Sequence, residues 1–189
     1  MPYLAAAVVV VGVLCVLNLL LTVAVIRKLR APSAARASTA AADALPQPGT
    51  IIGGLDATDV TGRLVDDTWL RGTKLVIVMS ATCSACVTQL AGAEAYAGAF
   101  PGGRDAVLIA VTGQGGHSAE IISALGGLGR LITGPSAASV AATFNVSGFP
   151  GFVLLADARV RSAGHSVSAL SALSEQAARQ QPGTLAHSA

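Results

Sequence analysis

The sequence has little charge, few aromatic residues and few side chains that bind transition metals. Charged residues make up 12% of the 189-residue chain, against roughly one quarter in typical soluble domains. Aromatic residues make up 4%, which predicts a compact but lightly packed core. Zinc sites need four ligands, and Cys15, His117, His165 and His187 stand at no paired spacing. We therefore expect no metal site and no cofactor.

The basic residues are too unevenly placed for a nucleic-acid surface. Arg27, Lys28, Arg30 and Arg36 precede the first acidic residue, Asp43, and the rest of the chain holds eight basic and ten acidic residues. The net charge of +2 therefore reflects one local cluster. Nucleic-acid binding needs basic residues gathered on the folded domain, so no nucleic-acid partner is expected.

Part of the low charge comes from a long apolar run near the N-terminus. Leu4 to Ile26 contains no charged residue, and its 23 residues would form a helix about 34 Å long, enough to cross the ~30 Å hydrocarbon core of a bilayer. A signal peptide would instead carry basic residues before a shorter apolar core. We expect one transmembrane anchor with its basic flank over residues 1–30.

Two arguments about the side of the membrane oppose each other. Arg27, Lys28 and Arg30 follow the apolar run directly, and basic flanks tend to stay in the cytoplasm, which would place the C-terminal domain there. Cys83 and Cys86, however, are separated by only two residues, and dithiol proteins on membrane anchors more often work outside the cytoplasm, where disulfides persist. The sequence thus predicts a single-pass protein of the cell membrane and leaves the side of its domain open.

Three further segments follow the anchor. Residues 31–50 are rich in Ala, Ser and Pro without apolar periodicity, which is typical of a linker. Residues 51–181 alternate short apolar runs with helical stretches, and residues 182–189 are expected to form a flexible tail. Alternating strands and helices that end in a hairpin and a helix predict an α/β domain with a mixed central sheet and flanking helices.

The predicted elements follow the apolar runs. Strands are expected at Ile51-Ile52, Leu64-Val65, Leu75–Met79, Ala106–Thr112, Leu131-Ile132, Phe152–Ala156 and Val160–Ser162, and helices at Cys86–Phe100, from a Ser118 cap to Leu125, from a Ser136 cap to Phe144, and from Ser166 or Ser168 onward. Leu75–Met79 is apolar throughout, as in a central strand that is buried on both faces.

Two cysteines directly follow this central strand. Cys83 and Cys86 are separated by two residues and open the next helical stretch. At a helix N-terminus, the helix dipole and the unpaired N–H groups stabilise a thiolate, and a second cysteine one turn later can close a disulfide reversibly. This is the arrangement of a redox-active dithiol. An inert pair of thiols and half of a metal site are the alternatives.

The chain resembles a thioredoxin-like domain. The resemblance rests on the strand that ends in Cys-x-x-Cys and on Val146-Ser-Gly-Phe-Pro150 before a later strand, and it covers roughly residues 48–180. The segment from Leu70 to Ser80 is similar to that of the membrane-anchored redoxins of the TlpA and ResA type. The N-terminal anchor is similar to that of the maturation accessory proteins of methylamine dehydrogenase.

The resemblance implies a thiol-disulfide oxidoreductase that exchanges disulfides with partner proteins. Cys83 would be the nucleophile and Cys86 the resolving thiol, so that Cys83 and Cys86 alternate between dithiol and disulfide. Pro150, as a cis proline, and the backbone of Phe149 would contact the substrate, with Thr82 beside the nucleophile. An upstream thiol electron donor would recycle the site.

Four features depart from the family pattern. Thr82 replaces a common tryptophan, Gln89 replaces a common glutamate, and Ala91 replaces the proline that kinks the active-site helix, although Gly92 still permits a bend. The residues between the cysteines are Ser-Ala, without the common proline. These changes bear on the redox potential and therefore on the direction of electron flow.

Two other functions fit the same fold. A peroxiredoxin-like peroxidase would carry a Pro-x-x-x-Thr-x-x-Cys loop, and here Ser80 and Val76 occupy the threonine and proline positions. A non-enzymatic assembly or maturation factor would keep the thioredoxin fold and bind a membrane complex without using its cysteines.

Overall fold

The computed structural model describes Gly12 and residues 44–170. The predicted anchor apart from Gly12, most of the predicted linker, the predicted tail and most of the predicted last helix lie outside these residues. Among the helices that are described, none is both long and apolar enough to cross a membrane.

A two-stranded antiparallel hairpin precedes a five-stranded mixed sheet. The hairpin consists of β1 (Asp56–Thr58) and β2 (Leu64–Asp66), and the sheet consists of β3 (Thr73–Ser80), β4 (Val107–Thr112), β5 (Arg130–Thr133), β6 (Gly151–Ala156) and β7 (Arg159–Gly164). The order across the sheet is β5-β4-β3-β6-β7. Strands β3, β4 and β5 are parallel, whereas β6 and β7 are antiparallel to their neighbours.

Strand β3 lies at the centre of the sheet and is buried on both faces, as predicted. All five side chains from Leu75 to Met79 are 0% exposed. Successive strand residues point to opposite faces, so Val76 and Val78 join one apolar core while Leu75, Ile77 and Met79 join the other.

Helices cover both faces of the sheet. They are α1 (Ser84–Thr88), α2 (Leu90–Gly98), α3 (Ser118–Leu125) and α4 (Gly134–Thr143), with 3-10 helices at Asp67–Leu70 and Gly103–Ala106 and a last helix that begins at residue 167. Helices α2 and α3 pack into the core that contains Ile77, and α4 packs into the core that contains Val76. The predicted α/β architecture is therefore confirmed for the described residues.

The helix that was predicted over Cys86–Phe100 is divided into two. Helix α1 ends at Thr88, its C-cap residue Gln89 has φ −95° and ψ −3°, and α2 begins at the residue after Gln89. The Gln89 N–H donates to the carbonyl of Cys86 at 3.2 Å, which is a tightened last turn. The chain thus breaks three residues before Gly92, where a bend was considered.

Three smaller predictions were wrong. The residues preceding α3 and α4 are His117 and Thr133, so Ser118 is already helical. Ser136 lies inside α4 because Pro135 occupies the first turn, where its fixed φ and missing N–H cost nothing. Ile51 forms a single antiparallel bridge with Arg159 instead of a strand.

Candidate active site

The end of β3 places Cys83 at the carboxyl edge of the sheet. Ser80 is the last residue of β3, and its carbonyl accepts a hydrogen bond from the Cys83 N–H at 3.1 Å. This bond closes a tight turn between the strand and α1. Cys83 is the N-cap residue of α1, with φ −95° and ψ 108°, so it lies where the helix leaves N–H groups without partners.

The Cys83 sulfur contacts two backbone groups. Its Sγ accepts a hydrogen bond from the Cys86 N–H at 3.2 Å, and its S–H donates to the carbonyl oxygen of Phe149 at 3.3 Å. Cys83 is half-buried and carries no disulfide. A thiolate here would keep the N–H donor, while loss of the proton would free the Phe149 carbonyl for another donor.

Cys86 lies directly behind Cys83 and has a very different environment. It is 0% exposed and belongs to the core that contains Ile77. Burial, with additional contributions from the hydrogen bond and charge of Cys83, raises the pKa of the Cys86 thiol to about 12. Cys86 is therefore a protonated thiol at neutral pH in this dithiol state.

The loop before β6 faces the cysteines. Its Phe149–Pro150 peptide bond is cis, the isomer that the resemblance implies. Pro150 is buried, and the partly buried Phe149 ring packs against both apolar cores. Strand β6 begins directly after Pro150 and runs antiparallel to β3, with Gly151 paired to Val78. Since proline has no N–H, the Phe149 carbonyl, not a donor, faces the thiol.

Solved structures share this arrangement of strands and helices. The thioredoxin domain of a thiol-disulfide oxidoreductase from Bacteroides vulgatus is similar with a TM-score of 0.53 and 16% identity, over 69% of this chain and 96% of that chain. The chain has the thioredoxin-like fold. A thiol:disulfide interchange protein from Bacteroides sp. gives a TM-score of 0.52 at 15% identity, over 75% and 94% of the two chains.

A third solved structure has a similar fold, and the sequence comparisons found no match. A thio-disulfide isomerase from Thermus thermophilus is similar to the thioredoxin-like domain with a TM-score of 0.51 and 16% identity, over 69% of this chain and 96% of that chain. No protein-family model and no curated protein sequence matches the chain. At these identities the likeness concerns the fold.

His165 contacts the loop that faces the cysteines of this thioredoxin-like domain, although in the sequence it was only an unpaired candidate for a metal ligand. Its Nδ1 lies 2.8 Å from the carbonyl oxygen of Pro150, so Nδ1 carries the proton that is donated. His165 follows the end of β7 and precedes the last helix. Because the contact joins separate parts of the chain, no local sequence pattern could have revealed it.

The Gly113-Gln-Gly-Gly116 loop supports the turn that carries Cys83. The carbonyl of Ala81 accepts a hydrogen bond from the His117 N–H at 2.8 Å. Gly116 has φ +50°, and a Cβ at this position would collide with the same carbonyl. The glycine-rich stretch is therefore explained by a close backbone approach behind the turn.

The family departures have distinct surroundings. Thr82 is exposed, and its hydroxyl lies 3.2 Å from that of Ser80, so two small hydroxyls stand where the resemblance implies an aromatic side chain. Gln89 is the junction between α1 and α2. Ala91 is exposed in the first turn of α2, where no kink occurs.

The geometry bears on two other interpretations of the site, the peroxidase and the metal site. Val76, at the position of the peroxidase proline, lies fully buried inside β3 and pairs with Leu108 and Val153, so no loop exists there. Within residues 44–170, no three His, Cys, Asp or Glu side chains are grouped to hold a metal ion.

Proposed function

We propose that this protein is a thiol-disulfide oxidoreductase that exchanges disulfides with partner proteins through Cys83 and Cys86. One observation carries the proposal. Cys83 is half-buried at the start of a helix, accepts the Cys86 N–H and faces the Phe149 carbonyl beside a cis proline, while Cys86 is buried behind it. This arrangement supplies one attacking thiol and one resolving thiol.

The first step joins Cys83 to the partner. The Cys83 thiolate attacks one sulfur of the partner's disulfide, the partner's S–S bond breaks, and a Cys83–partner disulfide forms. The other partner sulfur leaves as a thiolate and takes up a proton. The Phe149 carbonyl, no longer engaged by the Cys83 proton, can then accept a backbone N–H of the partner.

The second step releases the partner. Cys86 loses its proton and attacks the sulfur of Cys83, so the mixed disulfide breaks and the Cys83–Cys86 disulfide forms. The partner's second thiol leaves in reduced form, and two electrons have passed from the dithiol to the partner. Because the pKa of Cys86 is raised to about 12 by burial and by Cys83, the reduced site keeps its second thiol unreactive until a partner sulfur is attached to Cys83.

A complete cycle needs a second dithiol. The oxidised site is returned to the dithiol by an upstream thiol electron donor, which becomes a disulfide in the same exchange. We propose net reduction of partner disulfides, as in the maturation of a partner protein. Reversal of both steps would make the same site an oxidant, so the redox potential against that of the partner sets the direction.

We further propose that the apolar run Leu4–Ile26 tethers the domain to the cell membrane in a single pass. Its length and lack of charge support a span. A reporter fused at the C-terminus measures the side. Cytoplasmic signal is expected if the flanking arginines govern topology, and external signal if the site acts on exported disulfides.

The activity is tested by reduction of insulin disulfides with the full-length chain in a non-ionic detergent. Cys83→Ser is expected to abolish turnover, and Cys86→Ser to abolish it while accumulating a mixed disulfide that mass spectrometry detects. Cys15→Ser, which removes the remaining cysteine of the chain, serves as the matched control and should retain full activity.

Three results would contradict the proposal. Unchanged insulin reduction in both active-site variants would exclude a role for the thiols. Consumption of hydrogen peroxide without insulin reduction would favour the peroxidase. A wild-type chain that reduces no disulfide, together with partner binding that is unchanged in the double cysteine variant, would favour the assembly factor.

A further inference from the structure

A polar cavity lies at the edge of the sheet opposite the thiols. Its volume is about 370 Å³, and its walls include Asp59 and Arg63 from the β1–β2 hairpin, Arg104 and Asp105 before β4, and Arg130 at the start of β5. Pockets of this size fall in the range that holds small molecules. None of these residues takes part in the chemistry of the cysteines.

The parallel strands keep the two sites apart. Asp105 and Arg130 stand at the amino ends of β4 and β5, whereas Cys83 follows the carboxyl end of β3. At about 3.3 Å per residue, the length of β4 separates the two edges by roughly 17 Å. A small ligand in the cavity would therefore not touch the cysteines.

Positive charge exceeds negative charge in the cavity. Three arginines and two aspartates line it. Asp59 is buried and already engaged, because one of its oxygens accepts bonds from the Thr61 N–H at 2.8 Å, the Thr61 hydroxyl at 2.6 Å and the Arg63 N–H at 3.0 Å. Burial works to raise the pKa of Asp59, but these hydrogen bonds and the charge of Arg130 lower it overall, so Asp59 organises the hairpin loop as a carboxylate.

The guanidinium group of Arg130 has hydrogen-bond donors that the described residues bond weakly or not at all. Its two terminal nitrogens reach the Leu64 carbonyl and the Asp105 carboxylate, each at 3.4 Å, which is long for a charge-assisted hydrogen bond. Its Nε is buried without a hydrogen-bond partner among the described residues. An unmade bond at a buried donor is costly, and an anion that draws the guanidinium toward the cavity would remove this cost.

A fourth cation lies beside the cavity. The Lys74 ammonium donates to the Asp105 carbonyl oxygen at 3.2 Å. Burial first, and then the charge of Arg130, lower the pKa of Lys74 despite the opposing effect of Asp105. Lys74 and Arg130 thus place two cations against Asp105, and an added anion would be attracted to both.

We propose that this cavity binds a phosphate group, either free or on a small molecule. A phosphate dianion can accept from two guanidinium groups at once, and arginine forks match its oxygens in bidentate geometry. A ligand with a single carboxylate would balance only one of the positive charges in the cavity. The cavity volume of about 370 Å³ is larger than a phosphate group alone needs, which leaves room for the rest of a small molecule.

The test is calorimetric titration of the full-length chain in a non-ionic detergent with ribose 5-phosphate, inorganic phosphate and ribose. Saturable binding of either phosphate compound, with none for ribose, is expected, and the stronger of the two identifies the free or the esterified form. An equal heat from sodium chloride at matched ionic strength would overturn the proposal.

Variants locate the site. Arg130→Gln and Arg104→Gln are each expected to weaken phosphate binding at least tenfold, whereas Arg161→Gln, an exposed arginine on β7, should leave it unchanged. Arg104 is exposed, so its variant gives a result even if Arg130→Gln fails to fold. Wild-type affinity in Arg104→Gln would overturn the proposal, as would equal weakening in Arg161→Gln.

Discussion

Cys83 and Cys86 are separated by only two residues, but the fold gives their sulfurs different surroundings. The Cys83 sulfur lies between an N–H donor and a carbonyl acceptor, while Cys86 is fully enclosed by apolar side chains. The order of reaction that we propose follows from this difference in access and solvation. It does not depend on the residues between them, where the chain departs from the family pattern.

Burial of Cys86 makes the stability of the reduced protein fall at alkaline pH. The folded protein holds the Cys86 proton up to a pKa of about 12, whereas an unfolded cysteine loses its proton near pH 9.0. Between these values the folded state binds more protons, so unfolding becomes easier as pH rises, by no more than about 1.4 kcal/mol per pH unit from this one group.

Urea unfolding of the reduced protein from pH 8 upward measures this effect. Cys86→Ala should give a shallower decline than the wild type, because the other titrating groups are common to both. Parallel stability curves for the two proteins would contradict the raised pKa.

His165 is expected to position the loop that carries Phe149. His165→Ala removes the hydrogen bond to the Pro150 carbonyl, which should cost about 1 kcal/mol of stability and slow insulin reduction by up to roughly fivefold. His165→Asn should restore part of both, since its amide nitrogen can donate from nearly the position of Nδ1.

The comparison for this prediction is another histidine. The His117 ring lies 3.5 Å from the exposed Glu120 carboxylate, and alanine keeps the His117 N–H that bonds Ala81, so His117→Ala should leave the rate of insulin reduction unchanged. Equal loss in both alanine variants, or no rescue by asparagine, would argue against a positioning role for His165.

Only some residues of the candidate site could be predicted from the sequence, for a physical reason. Cys83 and Cys86 were predicted from residue type and spacing, whereas the role of Pro150 was implied only by the resemblance. His165 was missed because its effect depends on a turn of the chain after β7 that no local pattern specifies. The cis bond was expected only through the resemblance to a family.

At the level of elements, apolar runs predicted the strands better than caps predicted the helix ends. Five side chains of β3 are buried on both faces and could only be a central strand. Helix starts, in contrast, depended on competition among neighbours such as Thr133, Pro135 and Ser136, in which proline in the first turn prevailed. The break at Gln89 has no proline or glycine to announce it.

Gly116 is predicted to hold the turn before Cys83 by leaving room for the Ala81 carbonyl. Gly116→Ala adds a Cβ that collides with this oxygen and should destabilise the protein by about 1–3 kcal/mol while lowering the rate of insulin reduction. Gly115→Ala also has positive φ, +73°, but its Cβ would meet nothing within 4 Å.

Gly115→Ala therefore separates backbone strain from collision. It should cost about 1 kcal/mol through strain alone and leave the reaction rate unchanged. If the two variants had the same stability and the same rate, the loop would not support the turn.

At the level of the whole molecule, one strand joins two cores. Because β3 contributes to the apolar clusters on both faces, the domain is expected to unfold as a unit. The alternation of strands and helices was enough to predict this architecture, since a buried central strand requires layers on both sides. The arginine cavity was not foreseen, because its charges come from separate loops.

A matched pair of isoleucines tests where the stability resides. Ile77→Ala, at a position that is 0% exposed, should cost about 2–5 kcal/mol, whereas Ile51→Ala, at a position that is 67% exposed, should cost less than about 0.5 kcal/mol. Chemical denaturation of both variants measures the difference. Similar costs would mean that β3 is not the centre of the cooperative unit.

The pairing of Val78 with Gly151 has a consequence for how this site tolerates change in length. The Cys83 turn extends from one strand and the Phe149 carbonyl from its antiparallel neighbour, so their alignment is set by counting residue pairs from this register. Deleting one residue within β6 would turn its alternate side chains to the opposite face and shift the carbonyl along the strand. The paired strands therefore set the distance between the Phe149 carbonyl and the Cys83 sulfur, and the reactivity of Cys83 depends on this register being kept to the single residue.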